Sequence, residues 1–136
     1  MSFLDLPHQK LKAIALITGA MSYIIVGILH FTHEAFFVSM MPPYLSFHVE
    51  LVWLSGVFEI LGGVGLLVPK TRRFSSYGLI ALLIAVYPAN IHMMRHPELF
   101  ADVASPLGLY LRMPFQFVFM AWALWVGQPN RTNIHD

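Results

Sequence analysis

Four long apolar stretches alternate with short polar ones along the chain, and this alternation predicts the elements. Residues 11–31 (LKAIALITGAMSYIIVGILHF), 49–68 (VELVWLSGVFEILGGVGLLV), 74–94 (FSSYGLIALLIAVYPANIHMM) and 107–127 (LGLYLRMPFQFVFMAWALWVG) are each long and apolar enough to cross a bilayer, which takes roughly 20 residues of helix. The fold expected is all-α, a bundle of four transmembrane helices forming a single domain over 1–136. The segment from Phe36 to Tyr44 (FFVSMMPPY) ends in a Pro-Pro break. Linking the first two spans, it is expected to lie at the outer membrane interface, as a short amphipathic lid or re-entrant turn with Met40 and Met41 packing. No internal repeat, low-complexity tract or long linker divides the chain.

Composition turns this pattern into a statement about solvent. Hydrophobic residues make up 57% of the 136 and charged residues 11%, against about 25% charged in soluble domains; the mean hydropathy is +0.67. An integral membrane protein is therefore expected, with the lipid bilayer as its main surrounding. Lys10 and Lys12 resemble the basic start of a signal peptide, but the apolar run continues to Phe31, too far for a cleaved h-region, so a retained span is the reading taken.

Charge distribution then orients the bundle. Four spans place Lys10, Lys12, Lys70, Arg72, Arg73 and Arg131 on one side, six of the eight Lys and Arg, and leave Arg95 and Arg112 on the other. Positive-inside bias predicts an inner (plasma) membrane protein with both termini cytoplasmic. The PKTRR turn is too small a patch to suggest a nucleic-acid partner. With no cysteine in the sequence, thiol catalysis, disulfide exchange and thiolate metal ligation are excluded for these residues.

Polar groups inside the spans carry the candidate chemistry, because lipid makes them costly and they tend to face a bundle interior. Steps of three and four from Glu59 reach His48, Val52, Ser55, Gly56, Gly62, Gly63 and Leu66, a stripe that turns Glu59 toward close-packed neighbours. The first span offers Gly19, Tyr23, Gly27, His30 and Glu34. The third carries a small-residue face of Gly78, Ala81, Ala85 and Ala89, then Tyr87 and Asn90; the fourth places Arg112 and Gln116 one turn apart. Glu59 lies roughly ten residues into its span, about 15 Å along the axis. A polar pocket in the outer half, opening outward with Glu59 at its floor, is the simplest arrangement.

A lone carboxylate at this depth costs about 2.5–3.5 kcal/mol on insertion scales and escapes by protonation or by pairing with a cation. Arg112 is the natural counter-charge, with Asn90 and Gln116 as further hydrogen-bond partners. Pro88 and Pro114 free the carbonyls of Ile84 and Tyr110 close to the same groups. Such a network has three readings: a device that fixes helix register, a pocket for a ligand or protons, or a face toward a membrane partner. A weaker reading is metal ligation. His30, His33 and Glu34 stand at i, i+3 and i+4, and His92 and His96 at i, i+4, but no tight motif accompanies them.

SGVFEILGGVGLLVPKTRR, then YPANIHM and LRMPFQ, with the His30-Phe31 pair and the Pro42-Pro43 turn, resemble the DoxX-like family of small four-helix membrane proteins over essentially all four spans. The resemblance puts family motif positions on His30, Ser55, Gly56, Glu59, Gly62, Pro88, Asn90, Arg112 and Gln116. It implies an association with quinone-linked thiosulfate oxidation and membrane redox complexes, while a similar animal family assists assembly of nicotinic acetylcholine receptors. The expectation is an accessory subunit whose polar pocket (Glu59, Arg112, Asn90, Gln116, His30, Ser55 and Tyr87) takes a quinone-like molecule, rather than an autonomous enzyme. The alternatives are a non-catalytic scaffold or assembly chaperone with a membrane protein partner, and an oligomer that conducts a small solute or protons.

Overall fold

The computed structural model describes residues 10–128; Arg131, counted above with the cytoplasmic charges, lies outside them. The chain forms α1 (Lys10–Thr32), α2 (Glu34–Ser39), α3 (His48–Leu67), α4 (Arg72–Arg95), a 3-10 turn (Pro97–Phe100) and α5 (Pro106–Gly127). No strand occurs among the described residues. The helices α1, α3, α4 and α5 are long and apolar enough to cross a membrane, and each predicted span agrees with its helix to within two residues at either end.

Helix ends have local causes. Ser105 caps α5 by accepting from the Gly108 amide at 3.2 Å, with Pro106 at the first helical position. The tight turn from α3 to α4 is closed by Thr71 and Arg72. Thr71 Oγ1 donates to the Gly65 carbonyl at 2.8 Å and Arg72 Nε to that of Leu66 at 2.7 Å, satisfying carbonyls that the end of α3 leaves bare. Lys12 Nζ, buried, donates to the Gln128 carbonyl at 2.9 Å just beyond α5. The basic end of the bundle thus uses cations on helix C-termini, where the helix dipole favours them.

Neighbour order follows from the contacts. The chain packs α1 on α3, α3 on α4 and α4 on α5, while α1 touches α5 only thinly. The bundle therefore runs α1–α3–α4–α5, with α3 and α5 on a diagonal. Glycines set the closest of these contacts. A Cβ on Gly27 would stand 2.8 Å from the Gly56 carbonyl oxygen, one on Gly56 2.8 Å from His30 Cβ, and one on Gly63 2.7 Å from the Ala20 carbonyl oxygen. Gly62 turns instead to Leu79 on α4, so the glycines of α3 serve two neighbours, not the single face expected. The small-residue face of α4 is also differently used. Gly78 has open space around it and Ala81 and Ala85 are exposed, because α3 and α5 pack on other sides of this helix.

Two buried clusters close the ends. At the basic end Leu16, Ala20, Leu66, Leu79 and Val126 form a core with Tyr23 and Trp122 against it. Trp122 fills the room left by Gly19, stacks on Tyr23 and donates from Nε1 to the Ala15 carbonyl at 3.2 Å. At the other end Met40, Met93, Phe100 and Leu109 pack together. Here α1 stops at Thr32, α2 turns over the bundle and Pro42 is buried. The segment expected as a lid thus packs as a roof. Glu34 leaves the inward stripe of α1 because the helix breaks at His33; its carboxylate accepts from Trp53 Nε1 at 2.7 Å.

The glycine contacts give a contrast. Gly56→Ala should lower stability by about 1–3 kcal/mol through overpacking, whereas Gly78→Ala should raise it by roughly 0.5–1 kcal/mol by removing a helix-interior glycine. Thermal unfolding in detergent micelles reads both, and equal effects would contradict the close approach of α1 and α3.

Candidate functional site

A cavity of about 550 Å³ lies between the two closed ends, lined by all four long helices and by α2 with its following turn. Six of the seven sequence-predicted pocket residues line it: His30, Ser55, Glu59, Asn90, Arg112 and Gln116. Tyr87 does not; half-buried, it packs edge-to-face on Phe117 of α5 with ring centroids 6.3 Å apart. The rest of the lining is apolar, and Phe37, Met40, Met41 and Met93 form its roof side.

One wall is built by α1 and α3. The absence of a side chain at Gly56 admits His30 Cβ, and Phe37 stacks on the imidazole with centroids 3.9 Å apart. Two acceptors then converge on His30 Nδ1: the Val26 carbonyl at 2.8 Å and Glu59 Oε2 at 3.1 Å. With an acceptor on each side, Nδ1 is the protonated nitrogen. The shorter approach is the hydrogen bond, one helical turn back to Val26. Glu59 Oε2 is close enough for an ion pair with a charged imidazole, yet it is buried and has no hydrogen-bond partner. The proton can be directed to one acceptor, and the backbone takes it.

The facing wall is a chain of amides on α4 and α5. Asn90 Nδ2 donates to Gln116 Oε1 at 3.0 Å, and Gln116 Nε2 donates to the Leu83 carbonyl at 2.7 Å. Gln116 is 3% exposed, so both ends of its amide are used in place. The carbonyl served is that of Leu83, one residue before the one Pro88 frees.

Arg112 departs from its expected role. It makes no ion pair with Glu59 within 4 Å; it sits exposed at the cavity rim with Nη1 3.9 Å from Met93 Sδ. The reason is topological: α3 and α5 are diagonal, and the cavity separates them. The neighbour of Glu59 is His30, on the adjacent helix. Sequence reasoning singled out both residues without pairing them, although the matched glycines of α1 and α3 carried the signal for that contact. It missed Phe37 and Met93 as lining.

The metal candidates are dispersed. His33 Nδ1 lies 2.8 Å from Thr32 Oγ1, Glu34 is taken by Trp53, and the rings of His92 and His96 stand 5.0 Å apart near the roof. Among the described residues no group of three or more His, Asp or Glu is placed to hold a metal ion.

Fold and site together define a small bundle of helices long and apolar enough to cross a membrane, around a largely apolar cavity with polar groups on opposite walls. Residues 20–127, which include every lining residue, match the family described as Domain of unknown function (DUF8561). The chain belongs to that family. No curated protein and no solved structure matches it.

Two substitutions separate the amide chain from the rim cation. Gln116→Leu strips Asn90 and the Leu83 carbonyl of a partner and should cost about 1–3 kcal/mol, while Arg112→Gln should stay within about 0.5 kcal/mol of the parent. Chemical denaturation in micelles measures both. A large loss at Arg112 would restore it as a counter-charge.

Proposed function

We propose that the chain is a DoxX-like inner-membrane protein, with both termini cytoplasmic, whose cavity binds a small quinone-like amphiphile. In this reading it serves as an accessory subunit of a redox-linked complex and does no complete reaction alone. The observation that carries it is Glu59 Oε2, a buried carboxylate oxygen without a hydrogen bond in the wall of a ligand-sized cavity. Buried acceptors are normally satisfied, so a hydroxyl donor from a bound molecule is the natural partner.

Cavity volume and lining support the same class. About 550 Å³ falls within the roughly 300–1,000 Å³ of small-molecule sites, which are mostly apolar with a few polar groups that orient the ligand. A quinol hydroxyl would donate to Glu59. Across the ring, the second oxygen would meet the Arg112 guanidinium at the rim and the Asn90 amide, whose Oδ1 is not used by Gln116. An acceptor on one wall and a cation on the other suit a head group with oxygens at both ends.

A second reading rests on the face of α4. Gly78, Ala81 and Ala85 are exposed, and small residues permit close helix approach in lipid, which favours a scaffold or assembly role with a membrane partner or a second copy. A conducting pathway has less support, because the basic end is filled by the Leu16–Leu66–Val126 core.

Glu59→Gln distinguishes pocket from scaffold. It should weaken binding of a decyl-tailed benzoquinol to the purified protein by about tenfold or more, with the unfolding temperature unchanged. Unchanged binding with a lowered unfolding temperature would favour the scaffold. For orientation, Lys70→Cys in this cysteine-free chain should react with an impermeant maleimide only from the cytoplasmic side; labelling from outside would invert the topology.

A further inference from the structure

The cavity has a roof and a base, which leaves the question of how anything enters. Its roof is the buried Met40–Met93–Phe100–Leu109 cluster, and its base is the core beneath Tyr23 and Trp122. The lining residues of α3 and α4 are all buried or half-buried. On α1 and α5 some of the lining reaches the surface: Val26 is 37% exposed, Leu111 39%, Phe115 51% and Phe119 50%, while His30, Gly108 and Gln116 stay on the inner side. A residue that both lines a cavity and reaches the outer surface stands at its mouth.

The helix contacts agree. Where α1 meets α5, Lys12 reaches the Gln128 carbonyl, Trp122 bonds the Ala15 carbonyl, fills the room beside Gly19 and stacks on Tyr23, and Leu16 and Ala20 join the core that holds Val126, all toward the basic end. From there the two helices run on toward the roof with the cavity between Val26 and His30 on one and Phe115 and Phe119 on the other. The mouth is rimmed by apolar side chains along the flank of the bundle, with Arg112 as its cation on the roof side.

On the reading of the chain as a membrane protein with a ligand pocket, we infer that the cavity is entered sideways from the hydrocarbon, through a portal between α1 and α5. The ligand is then a molecule dissolved in the bilayer. Its polar head passes between Val26 and Phe119 to Glu59 and Asn90, and its apolar tail stays in the portal against Phe115 and Phe119. A water-soluble metabolite would have to cross the Met-rich roof instead. The outward opening expected from the sequence is thereby replaced by a lateral one, because α2 and the Met40–Pro42 turn cover the end.

Absence of native cysteine makes a direct test available. Ser55→Cys puts a single thiol in the cavity, and in proteoliposomes it can be offered a long-chain alkyl maleimide dissolved in the lipid or an impermeant charged maleimide in the water on both sides. The alkyl reagent should label it several-fold faster than the charged one. Val26→Trp, which narrows the portal, should slow alkyl labelling several-fold, whereas Val64→Trp, exposed on α3 away from the lining, should not. Phe119→Trp at the same mouth replaces Val26→Trp if the latter unfolds. Faster labelling by the charged reagent, or alkyl labelling indifferent to the portal substitutions, would overturn the lateral entrance. The rates read the mouth whether or not a quinone binds, so failure here is separable from failure of the proposed ligand class.

Discussion

Gly27 and Gly56 face each other where α1 crosses α3, and the absence of two side chains there governs what stands above them. With nothing but hydrogen on either glycine, backbone meets backbone, and a Cβ at Gly56 would stand 2.8 Å from His30 Cβ. That approach brings an imidazole within 3.1 Å of the Glu59 carboxylate. In lipid, helices gain little from burying apolar surface against one another, so close van der Waals contact through small residues is what holds a pair together. The same contact therefore holds the bundle and assembles one wall of its cavity. Separating the two helices would remove both.

The rest of the site follows from helix order. Because α3 and α5 lie on the diagonal, the groups they contribute face each other across open volume and do not pair. Glu59 is left beside a histidine whose Nδ1 proton is directed to its own backbone, while Asn90 donates to Gln116 and Gln116 to the Leu83 carbonyl. One wall is thus an incompletely satisfied acceptor and the other an amide chain running to a backbone carbonyl, with Arg112 at the rim against Met93. Such an imbalance would cost stability in a purely structural network, and it is the feature that gives the cavity chemical direction.

Much of this was legible in the chain. Apolar windows of about twenty residues define spans almost unaided, because few other structures tolerate such runs. The 3.6-residue period then turned Glu59, His30, Asn90 and Gln116 inward, and they line one cavity. What the period cannot supply is the azimuthal order of helices around the bundle. A direction relative to a helix axis does not say which neighbour lies there, so spacing alone pairs Arg112 with Glu59 across a diagonal and groups Gly78, Ala81 and Ala85 with Ala89, of which only Ala89 reaches the cavity. Tyr87 was assigned to the pocket by its spacing from Asn90 alone. The roof is hidden for a related reason: the Pro42-Pro43 break marks a turn, but only the packing of Met40 with Met93 and Phe100 closes the end.

A cavity built for a small amphiphile differs from a mere gap in a structural network in what it carries out of the membrane. Mass spectrometry of the lipid extract from protein purified out of its native membrane tests the difference most directly. A quinone or a similarly tailed molecule should appear at a reproducible ratio to protein, reduced when Glu59 is replaced by Gln. Bulk phospholipid alone, in the same proportions for both proteins, would contradict a site for an amphiphile.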